Sequence, residues 1–193
     1  MRYDPKHKEE TRHKILEGTQ RGFKKKGFDG AGVDSLAKES GLTSGAFYKN
    51  FKSKVEAFRA SISLGVGDFQ SAVESFQNEH GNQWLDKFSH FYLGEKRCSK
   101  LENSCALQSL TAEVTRRDPE TKEAFEEALI KSAKTFSKGL EYSKGDIDER
   151  AWADLALLVG GATLARAVED PTLADTITKA THKAIIEHSK ETA

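Results

Sequence analysis

The chain has 193 residues, with 30 Lys and Arg against 30 Asp and Glu, 37% apolar residues, three prolines and two cysteines. This length suits one domain, or a domain of about 150 residues with a small appendage. We find no run of 18 apolar residues, and residues 1–10 lack the apolar stretch of a signal peptide. A cytoplasmic protein without a membrane span is therefore predicted.

The zero net charge hides an uneven distribution. Residues 1–59 hold 14 basic and 8 acidic side chains, a net of +6, whereas residues 60–193 hold 16 and 22, a net of −6. A basic segment joined to an acidic remainder indicates two functional parts, the first of them a candidate for nucleic-acid contact. An accidental scatter of charges is the alternative.

The apolar residues recur at steps of three and four, which is typical of helices, and no sustained strand alternation is present. The first helix is predicted over residues 6–26 and ends at Gly27. A short second helix begins at Val33 and is stopped by Gly41. A third runs from residue 43 or 44 to Asn50.

Cap signals mark the later helices. Ser53 and Glu56 form a capping box that opens a long fourth helix, and Gly65 and Gly67 predict a bend or break in its middle. Later start signals are Asp118 with Pro119, Asp146 with Glu149, and Asp170 with Pro171. The remaining helices are predicted at residues 82–93, 103–115, 118–142, 151–169 and 171–189. The sequence thus predicts an all-α chain of nine helices.

The spacing within residues 33–51 predicts a helix-turn-helix. Ala37 lies four residues before Gly41, and Phe47 lies six residues after it. Two helices that meet near a right angle need a small residue where their axes approach, a glycine in the turn, and an apolar side chain that fills the angle. Two packed short helices beside a solvated lysine cluster are the alternative.

The second helix of this motif carries groups that suit DNA. Hydroxyl, amide and ammonium groups bind phosphate oxygens, and the N–H groups at a helix N-terminus add donors. The residues concerned are Thr43, Ser44, Gly45, Tyr48, Lys49 and Asn50, with Lys52 and Lys54 just beyond.

Several short motifs occur together in residues 11–58. They are T-R-H-K-I-L at 11–16, Phe23 and Gly27, the helix-turn-helix, and F-Y-K-N-F-K-S-K at 47–54. This segment resembles the N-terminal domain of the TetR family of bacterial transcriptional regulators. The resemblance implies a homodimer whose first three helices bind operator DNA and whose other six form a ligand-binding and dimerising core. The expected domains are residues 1–52 and 53–193.

The resemblance also implies roles for single residues. Positions that approach bases are held by Ser44, Gly45 and Tyr48, and positions that meet phosphates by Thr43, Lys49, Asn50 and Lys54. Lys49 and Asn50 depart from the family pattern, which usually has a histidine or an aromatic-rich pair there. Gly32 also departs, since the family favours a Ser or Thr cap, but glycine is tolerated at a helix N-cap.

Aromatic side chains concentrate in the middle of the chain, where helical spacing is typical of core packing. The resemblance instead implies an inducer cavity framed by helices four to eight, and therefore a small, largely apolar or aromatic inducer. The predicted ligand-binding residues are Phe69, Trp84, Phe88, Phe91, Tyr92, Cys105, Phe125 and Phe136.

Cys105 lies near the start of the predicted sixth helix, where the helix dipole is expected to lower the thiol pKa. A reactive thiol there would make the protein a sensor of electrophiles or oxidants on the same scaffold; an inert, buried cysteine is the alternative. Cys98 is a further candidate partner in a disulfide. The spacing of the cysteines and His90 fits no standard zinc site, so no metal or cofactor is predicted.

The last two helices combine small and apolar residues. Trp152, Leu155, Val159, Ala162 and Thr163 share one side of the eighth, and its small residues are Gly160, Gly161 and Ala165. Such a pair suits a four-helix bundle across a two-fold axis, which is the family's interface, although packing within one monomer is the alternative. Two-fold symmetry predicts a palindromic operator.

Together these features predict a ligand-responsive regulator, most simply a repressor that an inducer releases from DNA. No catalytic motif surrounds the six histidines, so an enzyme is not predicted. The remote alternative is a helical protein-interaction module that does not bind DNA. Its binding would be insensitive to salt, whereas DNA binding weakens steeply as salt rises.

Overall fold

Helices form all the regular structure of the described residues. The computed structural model describes residues 5–140, 147 and 149–190. The helices are α1 (Pro5–Gly30), α2 (Val33–Glu39), α3 (Ser44–Asn50), α4 (Lys54–His80), α5 (Trp84–Phe91), α6 (two turns, Ala106–Ser109 and Thr111–Val114), α7 (Pro119–Lys138), α8 (Glu149–Ala167) and α9 (Pro171–Lys190). The all-α prediction of nine helices is confirmed for this part of the chain. None of these helices is long and apolar enough to cross a membrane.

α1 continues beyond its predicted end. Gly27 interrupts it with φ 69° and ψ 178°, and one more turn to Gly30 follows. A positive φ suits glycine because it has no Cβ. The added turn places the ring of Phe28 against those of Phe23 and Phe58, with centroids 6.0 and 5.1 Å away. The break therefore keeps the end of α1 in the aromatic core of the N-terminal segment.

α4 is continuous, so the predicted bend or break at Gly65 and Gly67 is wrong. Its N-cap is as predicted, with the Ser53 hydroxyl accepting a hydrogen bond from the Glu56 N–H at 3.1 Å. Gly65 permits close packing instead. A Cβ at this position would lie 2.5 Å from the Cβ of Ala106 and 2.7 Å from Nε2 of Gln20.

Gly65 and Gly67, two residues apart on α4, make a matched pair of variants. Gly65→Ala should lower the free energy of unfolding by about 1–3 kcal/mol, because the added methyl group overpacks a contact with Ala106. Gly67→Ala should raise it by up to about 1 kcal/mol, because alanine favours helix and no heavy atom lies within 4 Å of its Cβ. Urea denaturation measures both, and equal effects of the same sign would contradict the packing role of Gly65.

The fifth and sixth helices are shorter than predicted. α5 is followed by a π-helical turn (Tyr92–Lys96), and α6 is interrupted at Leu110. The hydroxyls of Ser109 and Thr111 donate to the carbonyls of Cys105 and Leu107, four residues earlier, at 3.0 and 2.8 Å. Such bonds compete with the helical pattern and bend a helix, which accounts for the interruption.

The seventh helix begins as predicted, with the Asp118 carboxylate accepting from the Thr121 N–H at 3.0 Å. It ends at Lys138, before the predicted end near Tyr142. Tyr142 itself and the predicted cap residue Asp146 lie outside the described residues.

α4 is the central helix and packs against α1, α5, α6 and α7, while α8 pairs with α9. Near its start, Phe58 belongs to the N-terminal aromatic core. Further along, the ring of Phe69 contacts those of Phe88 and Tyr92, with centroids 5.6 and 5.8 Å away. One helix therefore connects the two aromatic clusters of the chain.

Candidate DNA-binding surface and ligand cavity

α2 and α3 form the predicted helix-turn-helix. Gly41 lies in the turn with φ 70°, and Ala37 and Phe47 are fully buried between the helices. Thr43 caps α3, since its side-chain oxygen accepts a hydrogen bond from the Ala46 N–H at 3.2 Å. The three residues that predicted the motif therefore have the packing roles expected of them.

Four of the seven predicted DNA-binding residues are exposed, namely Thr43, Gly45, Tyr48 and Lys49. Tyr48 is 56% exposed, and the edge contact of its ring with Phe47 leaves the hydroxyl end free to reach outward. A Cβ at Gly45 would have no heavy atom within 4 Å. This side of α3 is therefore unobstructed by the described part of the chain.

Two others are bonded within the motif. The Ser44 hydroxyl donates to the Oδ1 atom of Asp34 on α2, and the Asn50 amide donates to the Ala46 carbonyl at 2.9 Å. Asp34 was not predicted to take part. Its position in the first turn of α2, two residues from Gly32, is the signal that could have identified it. For Ser44 to donate to a phosphate its bond to Asp34 must be exchanged, whereas the Asn50 amide keeps a second N–H.

Lys54, the seventh predicted DNA-binding residue, lies at the start of α4, where the N-terminal helices meet the later ones. Its ammonium is 4.4 Å from the centroid of the Phe28 ring, and the guanidinium carbon of Arg117 is 4.2 Å from the same centroid. Arg117 also pairs with Asp29 at 3.5 Å. Cations are attracted to the face of an aromatic ring, so this ring orients Lys54.

A cavity of about 110 Å³ lies where α1, α4, α5 and the segment before α6 meet. Five of the predicted ligand-binding residues line it: Phe69, Phe88, Phe91, Tyr92 and Cys105. Trp84, Phe125 and Phe136 do not. Trp84 donates its indole N–H to the Gly139 carbonyl at 2.6 Å, and its ring packs on Phe136 with centroids 5.1 Å apart. These two rings fill the core, and Phe125 packs half-buried against it.

The cavity also has polar walls that were not predicted, formed by Lys24, Asp68, Lys96 and Ser104. Lys24 is only 7% exposed, and its ammonium donates to Oε1 of Gln20 at 2.8 Å. Burial lowers the pKa of Lys24 to about 8, although nearby Cys105 and Asp68 raise it. Sequence reasoning missed it because Lys24, Lys25 and Lys26 are consecutive, as in a solvated run.

The expected lowering of the Cys105 pKa is not found. Burial raises the pKa of this thiol, and the neighbouring Tyr92 hydroxyl and the charge of Lys24 oppose the rise only in part. The helix that follows, α6, is interrupted after its first turn, so its dipole is weak. A raised pKa leaves less thiolate, which disfavours the thiol-sensor alternative. Cys98 and Cys105 are both free thiols, the first exposed and the second buried.

Residues 15–60 match the family model described as bacterial regulatory proteins, tetR family. The uncharacterized HTH-type transcriptional regulator YerO of Bacillus subtilis (strain 168) is 26% identical over 156 residues, which is 79% of this chain. A TetR-family transcriptional regulator from Cytophaga hutchinsonii has a TM-score of 0.75 at 21% identity, covering 92% of this chain and 94% of that one. By these matches residues 15–60 are a TetR-type DNA-binding segment, on a chain with the fold of TetR-family structures.

The fold of the chain is also that of E. coli NemR in its reduced form, with a TM-score of 0.74 at 17% identity over 89% of this chain and 95% of that one. The match to YerO spans 53% of that relative's length, about half of it. The family model therefore identifies a DNA-binding helix-turn-helix of the TetR type within residues 15–60, and the solved structures show the fold.

The last two helices, α8 and α9, leave an apolar groove on the surface. It is lined by Ala153, Ala156, Leu157, Gly160, Gly161, Leu164, Ile177 and Thr181. Leu164 is 61% exposed. Leu155 and Ala162, predicted on the dimerising side, instead face the core of their own chain and are buried. These two residues lie on a different face of α8 from the groove. The single apolar face predicted for this helix therefore does not coincide with the groove.

Proposed function

We propose that this TetR-family protein is a ligand-responsive transcriptional repressor. A homodimer, paired through α8 and α9, binds palindromic operator DNA with α3 of each protomer, and a small ligand in the cavity releases it. Residues 1–52 form the DNA-binding domain and residues 53–193 the ligand-binding and dimerisation domain. One observation carries this proposal: α1 both supports the helix-turn-helix and lines the cavity with Lys24.

The contact between α1 and α2 is close enough to transmit a movement. A Cβ on Gly18 would lie 2.5 Å from the Cα of Ser40, so the two backbones nearly touch. The hydroxyls of Thr19 and Ser40 are 3.0 Å apart, and Lys25 pairs with Glu39 at 3.0 Å. Packed elements shift as units rather than deforming, so α2 and α3 follow α1 when it moves.

A ligand that fills the cavity then changes the separation between the two α3 helices of the dimer, which contact the DNA. The coupling requires that the ligand bind the released conformation more tightly than the DNA-bound one. Operator DNA must in turn weaken ligand binding by the same factor.

The DNA-binding surface can be tested with single alanine variants on an operator selected by the wild-type protein from random duplexes. Tyr48→Ala should weaken operator binding about 5- to 30-fold, as loss of one base contact does. Lys49→Ala should weaken binding to all sequences and reduce the slope of log K against log salt by about one, because one phosphate contact is lost.

Lys179→Ala, an exposed lysine on α9, is the matched control and should behave as wild type. Wild-type affinity in both α3 variants would show that the surface is misassigned. Salt-insensitive binding by the wild type would instead favour the protein-interaction alternative.

A further inference from the structure

Two polar groups on the cavity wall lack the partners that burial demands. The Tyr92 hydroxyl is fully buried, and no described atom lies within ordinary hydrogen-bond geometry of it, although Cys105 and Gln108 are its neighbours. An ammonium has three N–H donors, and for Lys24 the acceptor found among the described residues is Gln20 alone. Buried donors of this kind are normally satisfied, so both point to an acceptor that enters the cavity.

The charges around the cavity favour an anion. Lys24 and Lys96 are its two cations, and Asp68, its carboxylate, is exposed. Within the described part of the chain no ion pair joins Lys24 to a carboxylate. Lys96 donates to the Asn103 carbonyl at 2.7 Å, which fixes it at the wall. A ligand with one negative charge would balance the excess positive charge.

The remaining wall is apolar and suits one ring. Phe69 and Phe88 meet edge to face, and Phe91 and Ala72 complete this side. A volume of about 110 Å³ is close to that of the cavity of about 150 Å³ that binds benzene in a protein core. Larger ligands, such as those that fill sites of about 300 Å³ or more, do not fit without movement.

We propose that the cavity binds a small carboxylate with a single aromatic ring, its carboxylate accepting hydrogen bonds from the Lys24 ammonium and the Tyr92 hydroxyl. This proposal rests on the proposed function, for which it names the class of ligand. Cys105 lines the same cavity and is near both donors. The ring packs against Phe69 and Phe88.

The same contact explains how the ligand would act on α1. Gln20, the present acceptor of Lys24, donates its own amide to the Ser61 carbonyl of α4 at 3.3 Å. A carboxylate bound to the Lys24 ammonium therefore competes with Gln20, the side chain that links α1 to α4. Charge-assisted bonds are stronger than those to a neutral amide, so the exchange favours the ligand.

Calorimetry with the full chain tests the proposal without DNA. The probes are benzoate, 2-hydroxybenzoate, 4-hydroxybenzoate and phenylacetate, each against its carboxamide, which has the same shape without the charge. At least one acid should bind at least 10-fold more tightly than its amide. Lys24→Met should reduce that affinity about 10- to 100-fold and Tyr92→Phe by a smaller factor, because each removes a donor.

Lys26→Met is the matched control, since Lys26 is an exposed lysine two residues away, and it should leave binding unchanged. A second measurement needs no variant: at pH 8.5, binding should take up a fraction of a proton, because a carboxylate favours the charged form of Lys24. The charged or titratable groups that face Lys24 are Arg21 of α1, Asp68 of α4, Lys96 of the π turn and Cys105 before α6.

Each outcome decides something. Failure of all four acids to bind, equal affinity for acids and amides, or full affinity in Lys24→Met would each overturn the carboxylate proposal. If an acid binds through Lys24 but leaves operator affinity unchanged, the ligand class stands and release by this ligand fails. If no acid binds but another compound releases the operator, the regulatory function stands alone.

Discussion

Leu164→Glu is expected to convert the protein from dimers to monomers and to weaken operator binding at least 100-fold. Leu164 is a large apolar side chain, 61% exposed, at the edge of the groove between α8 and α9. In a two-fold interface each substitution occurs twice, so two carboxylates would be buried without partners. An uncompensated buried charge costs several kcal/mol, and a monomer engages only one half of a palindrome.

Thr163→Glu introduces the same charge at the neighbouring position of α8. The sequence placed Thr163 on the dimerising side, but in the structure it is exposed and does not line the groove. It should remain dimeric and bind DNA as the wild type does. Sedimentation equilibrium gives the oligomeric state, and circular dichroism shows whether α8 is retained. A dimeric Leu164→Glu variant with full operator affinity would place the interface elsewhere.

The second large effect concerns stability. Lys24→Met should be more stable than wild type by about 3 kcal/mol at pH 7, and this advantage should disappear as pH rises to about 10.5. Burial places the pKa of the Lys24 ammonium in the folded protein near 8, against 10.5 for an ordinary lysine. Methionine fills a similar volume without a charge to desolvate.

The direction follows from proton binding. Between about pH 8 and 10.5 the folded protein has released the proton of Lys24 while the unfolded chain still holds it. Stability therefore rises with pH in this window for the wild type, relative to the variant. Urea denaturation of both proteins at pH 7, 8, 9 and 10 isolates the difference, because all other groups titrate in both. Parallel curves would mean that the ammonium is solvated in the folded protein.

The helix-turn-helix could be predicted because its signals are local. Ala37, Gly41 and Phe47 lie within eleven residues, and each has one steric role that few residue types can fill. The helix starts at Ser53 and Asp118 were predictable for the same reason. Whether a residue caps a helix depends on that residue and on the one three positions later, and distant packing rarely overrides this preference.

The polar side of the cavity depends on contacts that the sequence does not reveal. Lys24 is buried because Asp68 and Cys105, 44 and 81 positions later, are brought against it by the fold. The aromatic stripe had the opposite difficulty. The helical spacing of its rings suits a core and a cavity wall equally well. Only the fold shows that Phe69 lines the cavity, whereas Phe136 lies in the core.

The residue types on α3 indicate which side chains can bind DNA, but they do not reveal which hydrogen-bond donors are already bonded within the protein. Ser44 is bonded to Asp34 across the turn, and Asn50 is bonded to its own helix. The exposed members, Tyr48 and Lys49, are therefore the better first targets for substitution.

The aromatic contact of Lys54 affects how this lysine meets a polyanion. Where a carboxylate holds a lysine, as Glu39 holds Lys25 at 3.0 Å, its charge is neutralised before any phosphate arrives. The ring of Phe28 orients Lys54 without neutralising it, and no ion pair of Lys54 with a carboxylate is found among the described residues. An oriented cation loses less rotamer entropy on binding and, because it is not neutralised, still displaces the counterions condensed on DNA phosphates. Lys54 is thus prepared for phosphate in both position and charge.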